Sequence, residues 1–301
     1  MPDLINTLFN GLSLGSIYLL VALGLSITFG LMGVINMAHG EFVMIGAYMT
    51  FVTQEVLHKI LPKEGNLYYL AAIFVAFFVT FTLGCILEKI LITRIYGRKI
   101  DSLLATWGIS LILQQAARTI FGSQGVNVNS PNFLKSGMTL GESRFAYNRI
   151  FIIALVIMCL AAVWLLMNKS GFGAQMRATM QNRPMAQCMG INTKRVDSLT
   201  FGLGSGLAGV AGCSIALLGS VDSTVGQNYI VYSFMSIVLG GVGNLLGTVI
   251  GAMVIGFSSI FVEAYQSASI ARAIVLLIII VFLQFKPKGI FVIRSRSLDE
   301  E

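Results

Sequence analysis

Seven apolar runs, each long enough to cross a bilayer, leave this chain few folds. They fall at about 5–29, 33–53, 67–92, 101–122, 149–168, 197–219 and 269–286, and about 20 apolar residues span the hydrocarbon core as a helix. An eighth segment, 229–264, holds 36 residues around the glycine-rich centre "VLGGVGNLLGTVIG". It is too long for one ordinary crossing and fits two, the first short or broken. The expectation is therefore an all-α polytopic membrane protein, 1–301 forming one domain. It has about nine transmembrane helices (eight to ten) and broken segments near 33–53 and 229–264. Composition agrees: 11% of residues are charged and 56% hydrophobic, where a soluble domain carries about 25% charged residues.

The basic residues set an orientation. Thirteen of the 20 lie at 89–99, at 169–196 and after 285, and the positive-inside rule places these segments in the cytoplasm. Lys59, Lys63, Arg118, Lys135, Arg144, Arg149 and Arg272 fall on the other side, and the N-terminus with them. A net charge of +7 would suggest nucleic acid in a soluble chain. Here it is spread over short loops, with no basic patch interleaved with aromatics, so no nucleic-acid partner is expected. The four scattered cysteines indicate neither a disulfide framework nor a metal. The start, "MPDLINTLFNGLSLGS", lacks a basic region and reads as an uncleaved first span.

Two connections are long enough to carry function. The periplasmic loop, 123–148, is polar and rich in turn residues. The cytoplasmic loop, 169–196, contains a short amphipathic helix carrying Phe172, Met176, Met180 and Met185, which Pro184 should bend or end. Such a helix either lies on the lipid surface or docks into a protein groove. Glycines spaced by four, Gly202 and Gly206, then Gly243, Gly247 and Gly251, read as faces along which helix backbones approach closely.

Polar groups inside these runs are the functional candidates, because an ionisable group in lipid costs on the order of 3 kcal/mol on insertion scales. Asn36, His39 and Glu41 in "INMAHGEF" stand out in a chain with two histidines. They belong either to an interface at the end of a span or to a broken helix lining a path. "NMAHGEFVMIGAYM" and "GNLLGTVIGAM" echo each other from asparagine to a Gly-Ala pair, which brings in Asn244. Thr106, Trp107, Gln114 and Gln115 add neutral groups in the fourth run. There is no phosphate loop, no catalytic constellation and no charged relay within a span. A small neutral or zwitterionic solute fits this inventory better than an ion.

Three stretches together carry a family resemblance. "GVINMAHGEF", "GFGAQMRATMQNRPMAQCMGINTKRV" with "FGLGSGLAGVAG" after it, and "VLGGVGNLLGTVIGAMVIG" resemble signatures of permeases in the branched-chain amino acid ABC importer superfamily. Within it, "YGRKIDSLLATWGISLILQQAARTIFG" followed by "NVNSPNFL" is most similar to the urea-importer permeases. Those have a proline and a glutamate where this chain has Lys99 and Asp101. The resemblance implies a multi-pass bacterial inner-membrane subunit forming the path for urea, and no cofactor in this chain. ATP and Mg would sit on two partner ATPases. A second permease and a periplasmic solute-binding protein complete the importer. It also assigns 171–190 to ATPase coupling, through Arg177, Asn182, Arg183 and Ala186. The substrate path would comprise Asn36, His39, Glu41, Thr106, Trp107 and Asn244. Other readings are a permease for branched-chain amino acids or short-chain amides, a passive channel or ion-coupled carrier without an ATPase, and a membrane-embedded enzyme. Scarce buried charge favours urea, which needs only neutral donors and acceptors.

Overall fold

The apolar runs become helices, and the polar punctuation between them becomes the breaks. The computed structural model describes residues 2–60, 68–95, 98–140, 143–286 and 289–291. Its elements begin with α1 (Pro2–Met32), α2 (His39–Ile60) and α3 (Tyr68–Leu87), which runs through a π-helical turn (Glu88–Ile92) into α4 (Thr93–Ile95). Then come α5 (Lys99–Phe121), a hairpin of β1 (Gly137–Leu140) and β2 (Ser143–Ala146), and α6 (Tyr147–Lys169). The rest is α7 (Gly171–Gln181), α8 (Arg183–Cys188), α9 (Thr193–Ala216), α10 (Val225–Gly240), α11 (Leu245–Glu263) and α12 (Ala268–Phe285). Lys63, Lys288, Arg294 and Arg296, used above for orientation, lie outside the described residues.

Among the described residues, six helices are long and apolar enough to cross a membrane: Leu4–Gly30, Tyr68–Ile95, Tyr147–Lys169, Thr193–Ala216, Leu245–Glu263 and Ala268–Phe285. Both interruptions fall within the segments expected to be broken, the first at the start of its segment. The run 33–53 is not one broken span: its break is 33–38, before α2, which then continues unbroken to Ile60. In 229–264 the break is 241–244, between α10 and α11. The second break packs against the end of α1, since a methyl group at Gly30 would lie 2.8 Å from Gly243 Cα. The short antiparallel hairpin of β1 and β2 has no counterpart in the all-α expectation.

Helix α9 is the centre. Nearly every residue from Val196 to Ala216 is buried, and it packs against α1, α2 and α3 by removing side chains from the contacts. A Cβ at Gly204 would lie 2.6 Å from Gly24 O of α1, one at Gly209 2.8 Å from Ala76 O of α3, and one at Gly212 2.6 Å from Ala47 N of α2. Close approach of this kind supplies the packing that holds helices together in lipid, where no hydrophobic drive separates helix from solvent. Gly202 and Gly206 serve the same face, against Cys85, Phe81 and Phe77 of α3.

The α10–α11 pair repeats the device. Gly247 meets the backbone of Gly240, and Gly251 meets that of Ser236. Gly243, grouped above with these two by spacing, sits instead in the 241–244 turn with φ 84°, where a left-handed backbone favours glycine. The chain after α12 closes this corner: Ile290 N–H and Phe291 N–H donate to Leu239 O (2.9 Å) and Gly240 O (3.1 Å), satisfying the last carbonyls of α10.

Because Gly247 faces backbone, alanine should already be too large there. Gly247→Ala is expected to lower the thermal midpoint of the purified protein, on the scale of about 1–3 kcal/mol for overpacking. Gly108→Ala, where a Cβ meets nothing within 4 Å, should leave the midpoint unchanged or raise it. Fluorescence-detected size exclusion after heating reads both.

Candidate translocation path and coupling segment

The break before α2 is a set of hydrogen bonds that replace a missing helical turn. Gly33 takes φ 65°, ending α1. Asn36 Oδ1 then accepts from Ala38 N–H (3.0 Å), and Thr106 Oγ1 of α5 accepts from Met37 N–H (3.1 Å). These bonds satisfy N–H groups that precede a helix start and would otherwise be orphaned in an apolar setting. Glu41 lies in the first turn of α2, where the helix dipole favours a negative group.

Glu41 is the hub of this region. Its Oε1 accepts from Ser110 Oγ and from Gln114 Nε2 (2.8 Å), and Gln114 also donates to Ser110 (3.2 Å). Ser102, Thr106, Ser110 and Gln114 are all buried and four residues apart, so they form one polar stripe along α5 facing the start of α2. Trp107, 53% exposed, and Gln115 fall on the opposite, outward side. His39 turns away from Glu41, its Nε2 lying 3.2 Å from Val21 O of α1. Asn244 belongs to the other break, where its side chain accepts from Gly247 N–H (3.2 Å) as the N-cap of α11. The structure thus brings Asn36, Glu41 and Thr106 together with Ser110 and Gln114, places His39 against α1, and separates Trp107 and Asn244 from them. Asn36 Nδ2, His39 Nδ1 and Glu41 Oε2 are buried without a hydrogen-bond partner among the described residues. Chemically, the region offers spare donors and acceptors around one carboxylate.

The segment 169–196 is built from capped short helices. Ser170 caps α7 through Gly173 N–H (2.9 Å), Asn182 caps α8 through Met185 N–H (3.0 Å), and Asn192 caps α9 through Arg195 N–H (3.1 Å). The expected amphipathic helix is interrupted at Asn182, and Pro184 stands in the first turn of α8, where its missing N–H costs nothing. Arg183 forms a salt bridge with buried Asp197 of α9, and Arg177 donates to Met167 O, so both arginines tie the segment to its own chain. Ala186 is buried. Of the four apolar residues on the expected face, Met176 is buried while Met180 and Met185 are exposed, as is Met189 further on. Beside this segment, buried Glu88 of the π turn accepts from Thr93 Oγ1 (2.8 Å).

Residues 7–283 match the family model described as branched-chain amino acid transport system / permease component. The chain belongs to this family. It is similar to the high-affinity branched-chain amino acid transport system permease protein BraD of Pseudomonas aeruginosa, 28% identical over 96% of this chain and 97% of that protein. It is also similar to LivH of Escherichia coli K12, 30% identical over 94% of each, and to the probable LivH of Methanocaldococcus jannaschii, 29% identical over 91% and 88%. No solved structure matches the chain. As a member of the branched-chain amino acid permease family it is a multi-pass inner-membrane permease, a transport subunit and not an enzyme.

Glu41 gives a direct test of the α2–α5 contact. Glu41→Leu leaves the Ser110 hydroxyl and the Gln114 amide facing an apolar side chain, a loss of about 1–3 kcal/mol for groups left unpaired. Glu41→Gln keeps an acceptor oxygen and should lose less. Thermal midpoints of the two variants in one detergent should therefore rank wild type, Gln, Leu.

Proposed function

We propose that this chain is one of two permeases in an ATP-driven importer for branched-chain amino acids. A periplasmic binding protein delivers the solute, and two cytoplasmic ATPases supply the energy. The observation that carries this reading is the family match across 7–283, with relatives named for branched-chain amino acid transport aligned over more than nine-tenths of this chain. The urea reading gives way to it. That reading rested on the resemblance of "YGRKIDSLLATWGISLILQQAARTIFG" and "NVNSPNFL" to urea-importer permeases and on scarce buried charge, whereas Glu41, Glu88 and Asp197 are all at most 4% exposed. Charged groups within the bundle suit a zwitterion better than the sequence suggested.

In this reading α2, α5 and α10 also lie within the membrane, giving nine membrane helices with the N-terminus outside. The support is their packing: α2 sits on α9 through Gly46 and Gly212, α5 on α2 through Glu41, and α10 on α1 and α11. Solute passes near the polar contact of α2 with α5, whose spare donors and acceptors can replace part of a hydration shell.

The ATPase meets the exposed methionines of the coupling segment. Met180, Met185 and Met189 offer a flexible apolar surface suited to a partner's groove, while Arg177 and Arg183 hold the segment's shape. Met185→Asp is expected to reduce co-purification of the ATPases while leaving the thermal midpoint of the permease near that of the wild type. Arg183→Glu puts a like charge against Asp197 and should lower that midpoint. If Met185→Asp retained the ATPases in full, the docking face would lie elsewhere.

Transport itself separates the substrate readings. The complete importer in proteoliposomes should accumulate labelled leucine only with ATP inside and loaded binding protein outside. Accumulation of urea but not leucine would reverse the assignment, and uptake by the permease alone on an ion gradient would remove the ATPase from it.

A further inference from the structure

A second polar region lies far from Glu41 in the sequence. A cavity of about 290 Å³ opens between α1, α10, α11, α12 and the connection before α10. That is close to the lower end of the range for small-molecule sites, about 300–1,000 Å³. Three aromatic rings form its wall: Tyr18 stacks on Tyr232 with centroids 4.9 Å apart and lies 6.1 Å from Tyr229. Leu14, Val225 and Ala271 add apolar surface.

The charges of this cavity are opposite and unspent. Arg272, from the first turns of α12, and Glu263, at the end of α11, line the same space. Neither forms a salt bridge with any described residue. Asp222, the other acid of the lining, is partly used, since its Oδ1 accepts from Thr224 N–H (2.8 Å) and Thr224 Oγ1 (3.0 Å). A guanidinium and a carboxylate facing one small space without pairing are complementary to a molecule that carries both charges itself.

We propose that this cavity binds the α-amino acid zwitterion. Arg272 takes the carboxylate, for which its planar fork is suited. Glu263 takes the ammonium, which the tyrosine faces also attract, and the aliphatic side chain lies against Leu14, Val225 and Ala271. The orientation derived from the basic residues puts the mouth on the periplasmic side, so the site receives solute before it reaches the α2–α5 contact. The inference rests on the amino acid reading of the substrate and adds a location to it.

The test is equilibrium binding of tritiated leucine to the purified permease–ATPase complex without its binding protein. Wild type should bind leucine at millimolar or lower concentration and prefer it to leucinamide, which lacks the carboxylate, and to N-acetyl-leucine, which lacks the ammonium. Arg272→Gln should weaken leucine binding about tenfold or more, the scale of a lost charged hydrogen bond, and erase the preference over leucinamide alone. Glu263→Gln should erase the preference over N-acetyl-leucine alone. Both side chains are exposed, and co-elution of all subunits checks assembly. Tyr232→Phe, which keeps the ring, should retain binding. Unchanged affinity and selectivity in both charge variants, or no leucine binding by a wild-type complex that imports leucine, overturns the site and leaves the substrate reading intact. A wild-type complex that imports urea and not leucine overturns both.

Discussion

The fold depends on the absence of side chains from one helix. At Gly204, Gly209 and Gly212, α9 presents backbone to α1, α3 and α2, and three helices share it as a common neighbour. Dispersion between heavy atoms falls off within fractions of an ångström, so one methyl group at any of these contacts would separate the pair and forfeit many small attractions at once. The partners answer with small residues of their own: Gly24 on α1, Gly46 on α2, Gly84 on α3. The polar groups then have a rigid frame. His39 reaches Val21 O because α1 and α2 both lie close on α9, and a Cβ at Gly24 would stand 3.0 Å from its ring.

On this frame sit two interruptions, one before α2 and one before α11. Each break is a place where helical hydrogen bonds are missing and side chains replace them. Asn36 and Asn244 play this part in the two echoing segments, each accepting a backbone N–H near the start of a helix. The internal echo therefore has a local chemical cause, a left-handed glycine followed by a capping asparagine. At the start of α9, Arg183 and Asp197 join the segment 171–190, proposed above for coupling, to that helix. A displacement of α8 by a docked partner would thus be felt by the helix on which α1, α2 and α3 rest.

Much of this was legible in the sequence, for identifiable reasons. Long apolar runs admit few structures, so the helices and the two interrupted regions could be read directly. The position of the first break could not, because Val34, Ile35 and Met37 are apolar and merge with the run after them. Ser110 was missed although its signal was present: Ser102, Thr106, Ser110 and Gln114 recur every four residues, while Trp107 and Gln115 drew notice by type and fall on the outward face. Arg183 was assigned to a partner contact, and its pairing with Asp197 went unread because that acid lies 14 residues on, past the apparent end of the loop. Substrate was the least legible of all. Buried charge was judged by counting acids within apolar runs, and Glu88 and Asp197 stand near the ends of theirs.

The central claim is that α9 organises the bundle by backbone contact, and a glycine-to-alanine series on α9 tests it most directly. Thermal midpoints of the purified permease should fall for Gly204→Ala, Gly209→Ala and Gly212→Ala, each against a different neighbour, and hold for Gly171→Ala, where a Cβ meets nothing within 4 Å. Midpoints for the three α9 variants equal to or above that of the wild type would contradict the account, because alanine favours an isolated helix over glycine by about 1 kcal/mol.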